Sequence, residues 1–225
     1  MAGLFVTATG TDVGKTFVTT GIIRALKSQG RKVDALKPVI SGYDPATADA
    51  SDAGRLLEAL GWPVTPAQID RISPWRFAAP LSPDMAARRE GHAIDFAALV
   101  DFCRKAVARA EDALLIEGVG GVMVPLDDRH TVLDWMAALD LPVLLVTGSY
   151  LGTLSHTLTA LEVLRGRGLK VRAIAISESE GSTVDLSETK KTLATFAGAL
   201  EIVVVPRREA GATDHPAFDR LAALV

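Results

Sequence analysis

Leu4-Phe5-Val6-Thr7-Ala8-Thr9-Gly10-Thr11-Asp12-Val13-Gly14-Lys15-Thr16-Phe17 decides how the rest of the chain is read. Leu4, Phe5 and Val6 form an apolar run of the kind that makes a short buried strand. The run breaks at Gly10 into a small polar loop and restarts at Gly14-Lys15-Thr16 as the first turn of a helix. A triphosphate needs that order. N–H groups at a helix start point at the anion, a lysine neutralises the outer phosphates, and a hydroxyl holds Mg²⁺. The spacing departs from the commonest phosphate loop, because Thr9 stands five positions before Gly14, where glycine is usual. Glycine comes one place later, and Ala8 stands where a longer loop has its first glycine, which requires a backbone compatible with a Cβ.

Composition narrows the partners. At 225 residues the chain has room for one sizeable α/β domain, taken here as residues 1–225. A hydrophobic content of 48% with 5% aromatics predicts a core of Ala, Val and Leu. The net charge of −3 provides no basic footprint for nucleic acid. Cys103 is the single cysteine, which excludes an intramolecular disulfide, and its amphipathic surroundings mark it as a buried small hydrophobe. No apolar run approaches the ~20 residues that span a bilayer, so no membrane partner is expected. Met1-Ala2-Gly3 leads into the strand without a charged n-region or cleavage site, and the expected location is the cytoplasm.

Downstream, strands and helices alternate. Val18, Ile22, Ile23 and Leu26 make a helix-period stripe closed by Gly30. Residues 32–40 read as a strand in which Pro38 ends ladder pairing, so Lys37 falls at the C-terminal end. Open parallel sheets gather functional groups at that edge. Residues 41–52 form a polar loop, and Ser51 or Asp52 caps a helix from Ala53 to Leu60 that stops at Gly61. Residues 62–94 hold five of the eleven prolines and two of the three tryptophans, and read as a long excursion over the sheet edge. A helix over 95–110 precedes the apolar strand Ala113–Ile116, which ends at Glu117-Gly118-Val119-Gly120-Gly121. An acid at the tip of a buried strand, followed by glycines, suits a metal-coordinating position in an ATPase. Further strands cover 141–147, 171–176 and 202–205; between them lie a helix that runs through Leu164 and another over 184–198. His156, in the first turn of its helix, reads as a hydrogen-bonding partner for a neighbouring loop. Pro206 closes the last strand, and a tail containing Arg207, Arg208 and Asp214-His215-Pro216 leads to a helix over 218–224. The alternation predicts an α/β, single-domain P-loop NTPase fold, a mainly parallel sheet with helices on both faces.

Lys15, Thr16, Asp52 and Glu117 together describe a nucleotide–Mg²⁺ site, since two carboxylates and a hydroxyl are hard oxygen ligands. Lys37 adds positive charge where a transferring phosphoryl group develops its own negative charge.

At this point the chain resembles the dethiobiotin synthase family. The resemblance rests on Phe5-Val6-Thr7 leading to Val13-Gly14-Lys15-Thr16, on Lys37-Pro38-Val39-Ile40-Ser41-Gly42 and on Ser51-Asp52-Ala53. It continues through Ala79-Pro80-Leu81-Ser82-Pro83, Ile116 to Gly121, Pro125-Leu126, and Leu151-Gly152 before His156. It implies an ATP- and Mg²⁺-dependent ring-closing carboxylase acting on 7,8-diaminononanoate and CO₂ in biotin synthesis, working as a homodimer. By position, Thr16, Asp52 and Glu117 would hold Mg²⁺, while Lys15 and Lys37 would act on the carbamate and the phosphoryl group. Asp12, Val13, Gly14, Phe17, Gly118, Val119, Gly120, Ser177, Pro206 and Arg207 would complete the nucleotide site. Thr11 and Ser41 would sit beside the diamine, and Leu151, Gly152 and Ser155 would close a partner's substrate site over the carboxylate tail. Four positions depart from the family pattern: Ala8, Asp12 for glutamate, Ser155 for asparagine, and Ser177 for an asparagine that reads adenine. Two rival readings stand beside this one. A partitioning or cell-division switch ATPase would carry a second lysine where Gly10 stands, and a cobalamin-pathway amidoligase would need a glutamine-hydrolysing domain.

Overall fold

A computed structural model describes residues 2–182, 184–207 and 215–225. Arg208 and Asp214 of the expected tail lie outside the described residues. In chain order the elements are β1 (Ala2–Ala8), α1 (Lys15–Ser28), β2 (Val33–Leu36), β3 (Val39–Ser41), α2 (Asp52–Leu60), α3 (Pro66–Ile72), β4 (Trp75–Phe77), α4 (Pro83–Arg89) and α5 (Phe96–Arg109). They continue as β5 (Ala113–Glu117), α6 (Val132–Leu139), β6 (Val143–Thr147), α7 (Thr153–Gly166), β7 (Val171–Ser177), α8 (Leu186–Ala197), β8 (Glu201–Val205) and α9 (Pro216–Ala222).

Six strands form one parallel sheet in the order β2-β5-β1-β6-β7-β8. Every residue of β5 and β6 is buried, as strands covered on both faces require. The absence of polar alternation in Ala113–Ile116 and Val143–Val146 follows from that burial. Helix α1 packs on α2 and α9, α5 on α6, and α7 on α8. The sheet is centred on β1, with β5 on one side and β6 on the other, and β1 delivers the phosphate loop to the C-terminal edge.

The structure departs from the sequence reading in five places. The strand expected over 32–40 is cut at Lys37-Pro38, and β3 pairs with β4 in a separate parallel ribbon. Proline lacks an N–H for the main ladder, and the chain leaves the sheet there. The excursion over 62–94 is not bare loop but carries α3, β4 and α4. Within the polar loop 41–52, Pro45–Ala50 winds into a 3₁₀ helix. Helix α6 was not anticipated, although the Asp134 carboxylate accepts the Thr131 N–H at 2.9 Å, half of a capping box at its start. It carries Trp135, fully buried with its ring edge-on to Phe5 at 4.9 Å. The tail helix runs from Pro216 to Ala222, two residues earlier at each end than expected.

Glycine at position 21 lets α1 meet α9. A Cβ there would lie 2.1 Å from the Phe218 ring, which is itself buried. Mid-helix alanine gains about 1 kcal/mol of propensity over glycine, but overpacking typically costs 1–3 kcal/mol. Gly21→Ala should therefore lower stability by up to about 2 kcal/mol, read as a reduced urea midpoint at unchanged m-value. An increased midpoint would show that α9 moves aside freely.

Candidate active site

The phosphate loop curls because two of its residues have positive φ, Asp12 at 57° and Gly14 at 91°. Aspartate tolerates that region better than most side chains. At Gly14 a Cβ would also lie 2.3 Å from the Ser177 hydroxyl oxygen, so glycine is required twice over. Ala8 lies in β1 with negative φ, and its Cβ causes no strain. The phosphate-loop lysine, Lys15, turns back over the loop and donates to the carbonyls of Gly10 (3.2 Å) and Gly120 (2.9 Å).

Of the glycines after β5, Gly120 lines the cleft, while Gly118 and Gly121 serve the packing. They bring backbone against the phosphate-loop strand: a Cβ on Gly121 would lie 3.1 Å from the Thr9 carbonyl, and one on Gly118 would lie 3.0 Å from the Phe5 ring. Gly118 and Val122 donate their N–H groups to the Val6 and Ala8 carbonyls at 2.9 and 3.1 Å.

Beside this loop lies a four-residue polar cluster. Glu117 is fully buried at the tip of β5. Its Oε1 accepts from Lys37 Nζ at 2.7 Å and lies 2.8 Å from the Thr16 hydroxyl, which is also 2.8 Å from Asp52 Oδ1. Lys37 Nζ reaches Asp52 Oδ2 at 2.9 Å and the Gly118 carbonyl at 2.8 Å, so its three N–H bonds are all used. Two flanking contacts fix the Lys37 backbone. Its N–H donates to Ile72 O at 3.0 Å, and its carbonyl accepts the buried Ser73 hydroxyl at 2.5 Å. The C-terminal end of α3 thus clamps the lysine, a role for Ser73 that nothing in the local sequence signals. Ser51 caps α2 through Gly54 N–H at 3.1 Å, which places Asp52 in the first helical turn.

Both lysines are buried, and they have opposite electrostatics. Burial, reinforced by the neighbouring Lys37 charge, lowers the Lys15 pKa to about 8. Burial also works against the charge of Lys37, but Glu117 and Asp52 outweigh it and raise its pKa above the ordinary value. Burial likewise opposes ionisation of Asp52, and Lys37 and the Thr16 hydroxyl overcome it, leaving its pKa below the ordinary carboxylate value.

All of this opens into a cleft of about 890 Å³. The sequence-predicted Thr11, Asp12, Gly14, Lys15, Thr16, Phe17, Lys37, Ser41, Asp52, Val119 and Gly120 line it. Arg55, Val124 and the Pro80–Pro83 turn line it too, although none was singled out as a site residue. Glu117 and Gly118 stand behind this lining, and Val13 is buried beneath the loop. Ser177, Pro206 and Arg207 lie on the other side of the phosphate loop, at the ends of β7 and β8. Ser177 is buried, and the Arg207 N–H donates to Glu178 at 2.7 Å while its guanidinium pairs with Glu180 at 3.0 Å. Leu151, Gly152 and Ser155 are exposed at the start of α7 and do not line the cleft. His156 Nδ1 lies 2.8 Å from the Tyr150 hydroxyl, the loop contact expected of it. Cys103 is buried and its thiol is pushed up to about 12, as suits a core residue.

A parallel sheet, a glycine-bearing loop entering a helix at Gly14-Lys15-Thr16, and a carboxylate at the tip of the neighbouring strand define a P-loop nucleotide-binding protein. The cell division ATPase MinD of Pyrococcus furiosus shares this fold, with a TM-score of 0.57 at 18% identity over 100% of this chain and 98% of that one. A family model described as an AAA domain matches residues 2–214. Sequence similarity is much higher to the ATP-dependent dethiobiotin synthetases BioD of Caulobacter sp. (strain K31), at 51% identity over 96% of this chain and 94% of that protein, and of Acidiphilium cryptum, at 49% over 88% and 90%. The chain belongs to the ATP-dependent dethiobiotin synthetase family. Among the described residues no helix is long and apolar enough to cross a membrane.

The depressed Lys15 pKa makes polyphosphate binding pH-dependent. A triphosphate beside the ammonium favours its charged form and raises the pKa back toward 10.5. Between those two values the bound state holds more protons than the free state. Affinity for a non-hydrolysable ATP analogue should then fall as pH rises through about 8, approaching tenfold per unit, with proton uptake on binding at pH 9. Titration calorimetry in buffers of different ionisation enthalpy would detect this uptake, and pH-independent affinity would show that Lys15 is already fully charged in the free protein.

Proposed function

We propose that this chain is an ATP-dependent dethiobiotin synthetase, and that residues 1–225 form one catalytic domain. The observation that carries the reading is Lys37, whose ammonium lies between Asp52 and Glu117 in the same cleft as the phosphate loop. A lysine held there faces a nucleotide's outer phosphate and a second substrate at once. The reaction joins CO₂ to one amine of 7,8-diaminononanoate as a carbamate, with loss of a proton. A carbamate oxygen then takes the γ-phosphoryl group from ATP, and ADP leaves. The second amine attacks the carbamate carbon, phosphate departs with its bonding electrons, and a proton is lost as the ureido ring closes.

The chain's own groups have separable parts in this sequence. The phosphate-loop N–H groups and Lys15 hold the triphosphate, with Lys15 exchanging the carbonyls of Gly10 and Gly120 for phosphate oxygens. Lys37 stabilises the negative charge on the carbamate and on the phosphoryl group in transit, giving up part of its contact with Asp52 or Glu117. Thr11 and Ser41, on the cleft wall, lie beside the diamine. The Ser41 hydroxyl oxygen is buried without a partner, as befits a group that awaits a polar ligand.

The donor set fits Mg²⁺. Thr16, Asp52 and Glu117 converge three oxygens that share a single hydroxyl proton, and Glu117 Oε2 is buried with no partner. Two carboxylates and a hydroxyl leave the remaining octahedral positions to water and phosphate, the usual arrangement for this ion. When bound, Mg²⁺ would neutralise charge on the β- and γ-phosphates. We further propose that Ser177, Pro206 and Arg207 flank the base. The segment 149–156 covers the diamine's carboxylate tail in a partner protomer of a homodimer, and the enzyme works in the cytoplasm without nucleic-acid or membrane partners.

The decisive experiment supplies pure protein with bicarbonate, Mg²⁺ and ATP, with and without the diamine. Phosphate release is expected only with the diamine, and dethiobiotin should appear in equal amount. Phosphate release indifferent to the diamine would instead indicate a nucleotide switch of the MinD kind. Lys37→Ala is expected to lower turnover by at least ~10²-fold and, by leaving Glu117 buried and unpaired, to destabilise the fold by about 3–5 kcal/mol. Near-normal turnover would remove Lys37 from the chemistry.

A further inference from the structure

The phosphate loop and the start of α7 are joined by a cluster of buried threonine hydroxyls that the reaction does not use. Thr147, the last residue of β6, has its Oγ1 at 2.8 Å from Thr157, 2.9 Å from Thr153 and 3.2 Å from Thr9. Thr147 and Thr157 have no exposed surface, and Thr153 is 1% exposed.

Counting protons gives the cluster a direction. The Thr153 hydroxyl donates to the Gly148 carbonyl at 2.6 Å, and the Thr157 hydroxyl donates to the Thr153 carbonyl at 2.6 Å. Each hydroxyl has one proton, so both face Thr147 with lone pairs only. Thr147 must give its one proton to one of them or share it between the two, and Thr9 donates to Thr147. The relay therefore runs from Thr9 in the phosphate loop, through Thr147, to the first two turns of α7.

We infer that Thr147 is a positioning residue: its hydroxyl fixes the start of α7 against the nucleotide loop and so sets how the Tyr150–His156 loop meets the diamine. This rests on the synthetase reading and its proposed homodimer, in which that loop covers the substrate of a partner protomer. Thr153 and Thr157 are already satisfied by carbonyls, and the strand neighbours of Thr147 are Leu and Val. Folding therefore does not require a hydroxyl at 147. A methyl in its place would stand 2.8–2.9 Å from two oxygens, closer than carbon and oxygen pack, and would push the helix start outward. The loop has a second anchor on its other side. The Ser149 N–H donates to Ser179 Oγ at 3.0 Å, and the Ser179 N–H donates to Ser149 Oγ at 2.9 Å. Between the two anchors Leu151 projects with 93% exposure. A shift at Thr153 is thus delivered to the exposed tip.

Steady-state kinetics of Thr147→Val, Thr147→Ser and Thr9→Val in the full-length protein test the inference. Thr147→Val should raise KM for the diamine by about tenfold, with kcat and KM for ATP within about twofold of the parent. Thr147→Ser, which keeps the oxygen, should restore the diamine KM. Thr9→Val, which removes the donor at the partly exposed end, should raise the diamine KM in the same direction and stands in if Thr147→Val does not fold. An unchanged diamine KM in either valine variant overturns the inference, as does an equal loss in kcat and both KM values. Failure of Thr147→Ser to restore the parent value also overturns it. Parent protein that releases phosphate without regard to diamine would defeat the synthetase reading and this inference together, whereas a parent that makes dethiobiotin with insensitive variants defeats only the inference.

Discussion

Glu117 is a carboxylate with no exposed surface, at the tip of a strand buried on both faces, and the site is arranged around the cost of placing it there. An unpaired charge at such a depth costs several kcal/mol. Lys37 offsets that cost, and the chain spends a whole excursion to deliver it. Pro38 turns the strand out of the sheet, α3 packs behind, and Ile72 and Ser73 hold the lysine's own backbone. Asp52 and Thr16 complete the cluster from two further helices. Four segments distant in sequence are thereby locked to one carboxylate. The cluster holds one ammonium against two carboxylates, so loss of Lys37 would leave both without a cationic partner.

Much of the fold was legible because parallel strands covered on both faces must be apolar throughout. The runs at 4–6, 113–116 and 142–146 are short, β-branched or leucine-rich, and bounded by turn residues, so the local composition carries the signal. The phosphate loop and the tip of β5 were legible for a related reason: their chemistry requires particular residue types next to a strand end. What escaped depends on distant contacts. Nothing near Ser73 marks it as the clamp on Lys37, since that role exists only once α3 has folded back over the sheet edge. The cleft wall at Pro80–Pro83 belongs to the same excursion. Helix α6 is a different case, because Thr131-Val132-Leu133-Asp134 is a readable start signal. The glycines at 118–121 have a packing role that local sequence does not display. They admit the phosphate-loop strand, and the closeness of that strand is what lets Lys15 reach Gly120.

Fold and function separate cleanly here. A cell division ATPase overlays on the whole chain at 18% identity, which speaks for the arrangement of strands and the loop at the end of β1. Lys37 and the Pro80–Pro83 turn lie on the β5–β2 side of that loop, where they line the same cleft as the phosphate loop. The β6–β8 side has a different character. There the polar groups are engaged with one another, Ser149 with Ser179 and Arg207 with Glu178 and Glu180. The loop at the end of β1 thus divides the C-terminal edge into an open half with ionic groups and a half closed by its own hydrogen bonds.

Lys15 and Lys37 are the same residue at similar depth, yet the structure sets them in opposite directions, and the difference lies in their partners. Lys15 has only carbonyl dipoles within hydrogen-bond reach and a second ammonium nearby, so its proton is loosely held. Lys37 has two carboxylates and holds its proton tightly. An incoming polyphosphate therefore acts on them unequally. It supplies Lys15 with the negative charge that lysine lacks, so binding energy accrues there. To Lys37 it offers only an exchange of one set of oxygens for another, nearly neutral in the ground state. A lysine that gains little when substrate binds retains its stabilisation for the moment charge moves between substrates, and that differential is what lowers a barrier. In the proposed synthetase, the division of labour between binding and chemistry would then follow from which lysine the carboxylates already own.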